Sequence, residues 1–248
     1  MIDLTGHQVL VTGGSRGIGA ACCRLFGRAG AAVWVCYGSR AEMAEEVLEE
    51  LREISDAPHE MAGADLTDAG EVAALFRRVE ARWGRLDCLV NNAGVWLEDP
   101  LDRFSEESYE RTMDVNVRGP FLCMRAALPL LEASPWANVV NVTSTAGQRG
   151  EAEHSPYAAS KGAMIAATKS WAVELAPIRV NSVAPGWVET EMTAAALDAG
   201  ARAAALEEIP LSRIALPEDV AGPVLFLASP LARHVTAAVV NVNGGSVR

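Results

Sequence analysis

Tyr157 and Lys161 stand four residues apart, with Ser144 thirteen residues upstream of the tyrosine. On a helix, residues four apart lie one above the other on the same face. An ammonium beside a phenol favours the phenolate and lowers a pKa that is ordinarily about 10. Ser144 faces that phenol if the intervening chain is a loop returning from the end of a strand. Together the three groups form a proton donor, its activator and a hydrogen-bond partner for a carbonyl oxygen. What such a set still needs is a source of hydride.

A second stretch offers one. Thr12-Gly13-Gly14-Ser15-Arg16-Gly17-Ile18-Gly19 lies where a short apolar run, Val9 to Val11, gives way to helical spacing through Ile18, Cys22, Leu25, Phe26 and Ala29. Glycines at a strand-to-helix turn let the backbone approach a pyrophosphate, and the helix N-terminus turns its N–H groups toward anionic oxygens. The spacing is Gly-x-x-x-Gly-x-Gly rather than Gly-x-G-x-x-Gly. A site for NAD usually carries an acid about 20 residues after the turn, on the ribose 2′-OH. Here the second strand ends Tyr37-Gly38-Ser39-Arg40, and the first acid, Glu42, already falls in the next helix. Arg16 and Arg40 suit a 2′-phosphate, because a guanidinium matches phosphate geometry. The expected cofactor is NADPH.

The elements that must position these groups alternate along the whole chain. Ala31 to Tyr37 reads as a second strand and Met43 to Ile54 as an amphipathic helix. A weak strand follows near Glu60 to Ala64, then a helix capped by Thr67 or Asp68 with Val72, Leu75, Phe76, Val79 and Trp83 inward. Leu86 to Val90 is a fourth strand. Ser105 to Leu131 is helical, with a kink or restart expected at Gly119-Pro120. Val139 to Val142 is a fifth strand that delivers Ser144 to its carboxyl end. Ser155-Pro156 supplies an N-cap and an N1 proline for the helix carrying Tyr157 and Lys161, which runs to about Leu175. Arg179 to Val183, a helix opened by Pro217, and Ala238 to Val242 complete the series. Alanine-rich Thr190 to Glu208 reads as a mobile lid. The alternation predicts one α/β domain over residues 1–248, a Rossmann fold with a doubly wound parallel sheet of seven strands and helices on both faces.

Composition narrows the function. Half of the 248 residues are hydrophobic and the net charge is −11, with no Lys/Arg cluster to neutralise nucleic-acid phosphates. No apolar run approaches the roughly 18 residues of a membrane span, and the start lacks the basic and apolar regions of a secretory signal. The five cysteines and four histidines are scattered, so buried free thiols in a reducing cytoplasm are expected and a metal site is not.

The ordered set Thr12 to Gly19, Asp65-Leu66, Asn91-Asn92-Ala93-Gly94, Asn116, Ser144, Tyr157 to Lys161, and Pro185-Gly186 with Thr190 resembles the short-chain dehydrogenase/reductase family over essentially the full length. The resemblance implies that Tyr157 is the acid–base residue, that Lys161 tunes it and bonds the nicotinamide ribose, and that Ser144 orients the substrate carbonyl. Asn116 then holds a water of the proton relay. Asp65 and Leu66 meet adenine, Asn92 the adenosine ribose side with Ala93 and Gly94, and Val188 and Thr190 the carboxamide beyond Pro185-Gly186. Asn91 is read differently, as a side chain bridging strands.

Within the family the strongest likeness is to 3-oxoacyl-acyl-carrier-protein reductases of fatty-acid synthesis, through Asn181 to Gly186, Glu189 to Met192, Ile209 to Arg213 and Asn241 to Gly245. Such enzymes imply a homotetramer acting on a thioester or small-molecule ketone. Two departures weigh against an acidic carrier: the short Glu174 to Arg179 segment, and no basic residue in Leu128 to Glu132. Arg125 and Arg149 read as surface arginines. Trp96, Gln148, Arg149, His154, Trp187 and Met192 form the expected substrate wall, whose tryptophans favour an apolar or ring-shaped ketone.

Overall fold

In the computed structural model, which describes residues 2–247, seven parallel strands form one sheet in the order β3-β2-β1-β4-β5-β6-β7. They are β1 (Gln8–Thr12), β2 (Ala32–Tyr37), β3 (Glu60–Gly63), β4 (Cys88–Asn91), β5 (Asn138–Val142), β6 (Arg179–Pro185) and β7 (Val239–Val242). Between them run α1 (Gly17–Arg28), α2 (Ala41–Ile54), α3 (Ala69–Trp83), α4 (Glu106–Met113), α5 (Gly119–Glu132), the short α6 (Ala146–Arg149), α7 (Ser155–Glu174), α8 (Glu191–Ala196), α9 (Arg202–Glu208) and α10 (Pro217–Ala228).

The strands are apolar on both faces because both faces are covered, as a parallel sheet requires. Successive side chains point to opposite sides. Val9, Val11, Val33, Val35, Val90 and Val140 therefore join one core with α1, α2 and α10. Leu10, Trp34, Leu89, Val139 and Val180 join the other with α3, α5 and α7. The chain reverses its direction of travel between β1 and β4, and this opens a crevice at the strands' carboxyl ends. Asn91 spans β4 and β5 by donating to Asn141 at 2.9 Å, the bridging role expected of it. The five cysteines are buried and unpaired, and burial alone pushes Cys22 and Cys36 up to about 12.

Three details differ from expectation. The interruption of the long helical region is a π-turn over Asp114–Arg118, upstream of Gly119-Pro120. Pro120 sits in the first turn of α5, where its missing N–H costs nothing, so of the kink or restart expected there it makes the restart. Ser155 is the first residue of α7, not its cap; His154 precedes it and its side chain makes no cap bond. Asp68, one of the two expected caps, does cap α3, accepting from Gly70 N at 2.7 Å and Glu71 N at 2.9 Å. The stretch after Thr190 is two short helices joined by a π-turn, and Leu197, Ala205, Ile209 and Ile214 give it a small core beside Trp187.

Candidate active site

A cavity of about 590 Å³ occupies the crevice. One end is bordered by Arg16, Ser39 and Arg40, and the other by Ser144, Tyr157 and Met192. Of the residues expected to touch a nucleotide, all line it except Gly19. Gly19 instead makes the turn possible: a Cβ there would stand 2.0 Å from the carbonyl oxygen of Gly13 and 2.6 Å from the Asn92 amide. Gly13 and Gly17 hold φ of 64° and 51°, a region that costs glycine nothing. Gly19→Ala must therefore prise the turn off Asn92. We expect it to lose cofactor binding and at least about 2 kcal/mol of stability, measurable by calorimetry and by NADPH fluorescence titration.

Thr12 is the hub of this turn, a role that the sequence alone did not reveal. Its hydroxyl donates to Val90 O at 3.2 Å and accepts from Asn92 N at 2.9 Å and Ala93 N at 3.1 Å. The Asn92 amide returns the tie to Thr12 O at 2.9 Å and Gly13 O at 3.1 Å. Thus Asn92 fastens the glycine turn to the end of β4. Past β2, Arg40 carries no ion pair among the described residues, while Arg16 lies 4.0 Å from the Glu191 carboxylate with both side chains half-exposed. Asp65 accepts from the Thr67 N–H and hydroxyl, and these bonds hold its carboxyl below the usual range. Glycine backbone at a helix N-terminus, two guanidiniums and an elongated cavity together fit a phosphorylated dinucleotide.

At the other end, Ser144, Tyr157 and Lys161 meet as the spacing required. The Ser144 hydroxyl lies within hydrogen-bonding reach of the phenol and also accepts from Ala146 N at 3.1 Å. Lys161, buried, donates to Val142 O at 3.0 Å, and its Nζ stands 5.8 Å from the centre of the tyrosine ring. One expectation is corrected here. The phenol pKa is not lowered: burial pushes it up to about 12, with the Ser144 bond pulling the other way and the Glu151 charge adding to the rise. Lys161 points at a carbonyl rather than at the phenolic oxygen, so desolvation of the phenol wins. Burial likewise lowers Lys161 to about 8.

Asn116, fully buried in the π-turn, accepts from Val95 N at 2.8 Å and donates to Val95 O at 2.9 Å and to the Ser160 hydroxyl at 3.0 Å. Ser160 in turn donates to Tyr157 O at 2.7 Å. Asn116 therefore clamps the loop after β4 to the helix of Tyr157. Ser160, one turn beyond Tyr157, carries no signal of its own in the sequence, because its partner Asn116 lies 44 residues away.

The lysine makes a pH prediction. Its folded pKa is about 8 against 10.5 in a free chain, so between those values the unfolded state binds more protons and Lys161 makes stability rise with pH. Tyr157 acts oppositely above 10, its folded value being higher than its free one. Lys161→Met should thus stabilise the protein near neutrality, by about 1–3 kcal/mol, while abolishing turnover. The advantage should shrink by about pH 9.5, as urea unfolding of both proteins at the two pH values would show.

Of the expected substrate wall, Met192 lines the cavity. Trp96 and Trp187 follow lining residues Val95 and Gly186 and meet edge to face, ring centres 5.8 Å apart, with His154 stacked on Trp96 at 4.4 Å. Gln148 does not face the cavity; its amide donates to Asn241 on β7 at 2.8 Å. Arg149 is held by Glu208 at 3.1 Å.

Comparison with known proteins agrees with this geometry. A family model described as enoyl-(acyl carrier protein) reductase matches residues 13–246. The chain is 38% identical to the 3-oxoacyl-[acyl-carrier-protein] reductase FabG of Thermotoga maritima, covering 98% of this chain and 99% of that one. It is also 38% identical to a 3alpha-hydroxysteroid dehydrogenase of Mediterraneibacter gnavus, covering 98% of each. A solved short-chain dehydrogenase/reductase from Brucella melitensis superposes with a TM-score of 0.91 at 31% identity, covering 100% of this chain and 99% of that one. The structure titled gox2181 gives 0.94 at 30% identity, covering 99% and 97%.

Proposed function

The chain belongs to the short-chain dehydrogenase/reductase family, and on that premise we propose that it is an NADPH-dependent carbonyl reductase of the 3-oxoacyl-thioester type. The observation that carries the reading is that Ser144, Tyr157 and Lys161 line the same cavity as Arg16 and Arg40. Two hydroxyls converging on one point suit a carbonyl oxygen, which accepts two hydrogen bonds.

A bound nicotinamide supplies the hydride. Ser144 donates to the substrate oxygen and fixes its position. Tyr157 donates a second bond and gives up its proton as charge develops there, which is general-acid catalysis. A phenol pKa raised to about 12 keeps that proton in place at neutral pH until the oxygen needs it. Lys161, anchored on Val142 O, is held where it can bond the cofactor ribose and refill the phenol. Asn116 positions Val95 and α7, and the lone pair left on its Oδ1 is available to a relay water. NADPH rather than NADH follows from Ser39 and Arg40 standing where an acid would hold a ribose 2′-OH.

A second substrate class is favoured by the aromatic group beside the cavity: a ketone or secondary alcohol on a ring. The test is one panel, followed by NADPH absorbance, of acetoacetyl thioesters on carrier protein and on a small thiol, cyclic ketones and secondary alcohols. Consumption of NADPH with none of the ketones would overturn the carbonyl reading. The proposed assembly is a homotetramer through the Tyr157 helix and β7; Val173 on α7 is 79% exposed and Phe121 on α5 47%, apolar surface that association would cover. Sedimentation tests it. Five thiols without a disulfide suit a reducing cytoplasm.

A further inference from the structure

A second cavity, of about 490 Å³, lies at the amino ends of the strands and shares no lining residue with the crevice. Its volume is that of a small-molecule site. His7, just before β1, and Trp136, before β5, line one end. Arg179, the first residue of β6, and Arg233, beyond α10, line the other. In the sheet, β4 and β5 stand between β1 and β6, so the backbones at the two ends are about 14 Å apart. Leu128 and Leu131 of α5, with Leu175 and Ile178 after α7, supply an apolar wall.

Each end carries a polar group short of partners. Arg179 is half-buried, and its Nη1 donates to Leu227 O at 2.8 Å and Val235 O at 3.4 Å. Its Nε and Nη2 bond nothing among the described residues. Burial lowers its pKa, Cys88 pulls the other way, and no acid contributes. The chain has 32 acids against 21 lysines and arginines, yet Glu132 and Glu174, which also line the cavity, stay exposed and do not pair with it. The guanidinium is thus free to take an outside anion. At the other end His7 is 8% exposed, and neither ring nitrogen has a hydrogen-bond partner among the described residues. Leaving a buried polar group unpaired is costly, and a neutral imidazole offers one donor and one acceptor to a guest that can bond it. Trp136 stacks on the ring with centres 4.5 Å apart and is itself 46% exposed, so the indole has room to tilt outward as a guest enters.

We propose that this cavity binds an elongated apolar carboxylate, its head group on Arg179, its hydrocarbon body on the leucines and Ile178, and a hydroxyl at its far end on His7. A guanidinium fork matches a carboxylate with two parallel bonds, and a hydroxyl serves either imidazole nitrogen. The crevice and this cavity lie at opposite ends of the same strands, so the acid and the dinucleotide bind together rather than in competition.

The probes are decanoate, its ω-hydroxy derivative and decanol, titrated calorimetrically into the full chain with and without saturating NADPH. Decanoate should bind about 10- to 100-fold more tightly than decanol, as a hydrogen bond to a charged group is worth. The hydroxy acid should gain about 2- to 10-fold more, the worth of one neutral bond. NADPH should displace neither acid. Arg179→Met should erase the preference for decanoate over decanol while NADPH binding persists. Arg179→Lys, which keeps the charge without the fork, should retain part of it, and decides the point if Arg179→Met fails to fold. His7→Phe, which keeps the stack on Trp136, should equalise the two acids and raise the melting temperature of the free protein. Decanoate bound no better than decanol overturns the proposal, as does equal affinity of wild type for the two acids. Displacement by NADPH overturns it too, since the acid then sits in the crevice, and so does an undiminished preference in Arg179→Met.

Discussion

Tyr157→Phe will bind NADPH about as tightly as wild type and reduce ketones about 10²- to 10⁴-fold more slowly in kcat, the range that a positioned proton donor contributes. The substitution removes one oxygen and leaves the ring that lines the cavity beside Lys161. At neutral pH the phenol is uncharged in the folded and the unfolded chain alike, so its raised pKa contributes nothing to stability there, and the variant should unfold about as readily as the parent. A loss in turnover alone, without loss of stability or of cofactor, is what distinguishes a chemical role from a packing one. Turnover surviving within about tenfold would refute the assignment of the proton to Tyr157.

The second large effect concerns cofactor choice. Removing Arg16 and Arg40 together, as Ala, should cut kcat/KM with NADPH by about 10²- to 10³-fold, since each charge-assisted bond to a phosphate is worth about 1.5–3 kcal/mol and the two are not fully additive. With NADH the change should stay within about threefold, because neither side chain is needed for a 2′-hydroxyl. Arg16 is restrained only by a 4.0 Å approach to Glu191, an exposed pair worth little, so it can turn to a phosphate at small cost. The wild-type preference for NADPH should also decline with added salt, as screened charges require. A preference unchanged by the double substitution would place the 2′-phosphate elsewhere.

How much of this was legible in the sequence depended on whether the controlling contact was local. Val9 to Val11, Ala31 to Tyr37 and Val139 to Val142 announce buried parallel strands because they are apolar at every position and bounded by glycine or polar turns. Tyr157 and Lys161 meet because four residues of helix are enough to stack them. The π-turn at Asp114–Arg118 left no trace, since it differs from α-helix by one hydrogen-bond register and uses ordinary residues. The direction of the Tyr157 shift is hidden from the sequence for a related reason: spacing reports which groups are neighbours, and says nothing of how much water is taken from them. The true partner of Gln148, Asn241, lies 93 residues on, beyond any local signal.

Two of the ties that hold the site have a kinetic consequence. Asn92 reaches back 80 residues to Thr12, and Asn116 reaches forward 44 to Ser160. Local helices can form within microseconds, but contacts of such separation wait for long loops to close. The glycine turn cannot take its working shape until β4 has docked on β1, nor Tyr157 its place until α7 has met the π-turn. On refolding from urea, helical ellipticity should therefore return before turnover does, and the return of activity marks the moment when the two halves of the sheet are joined.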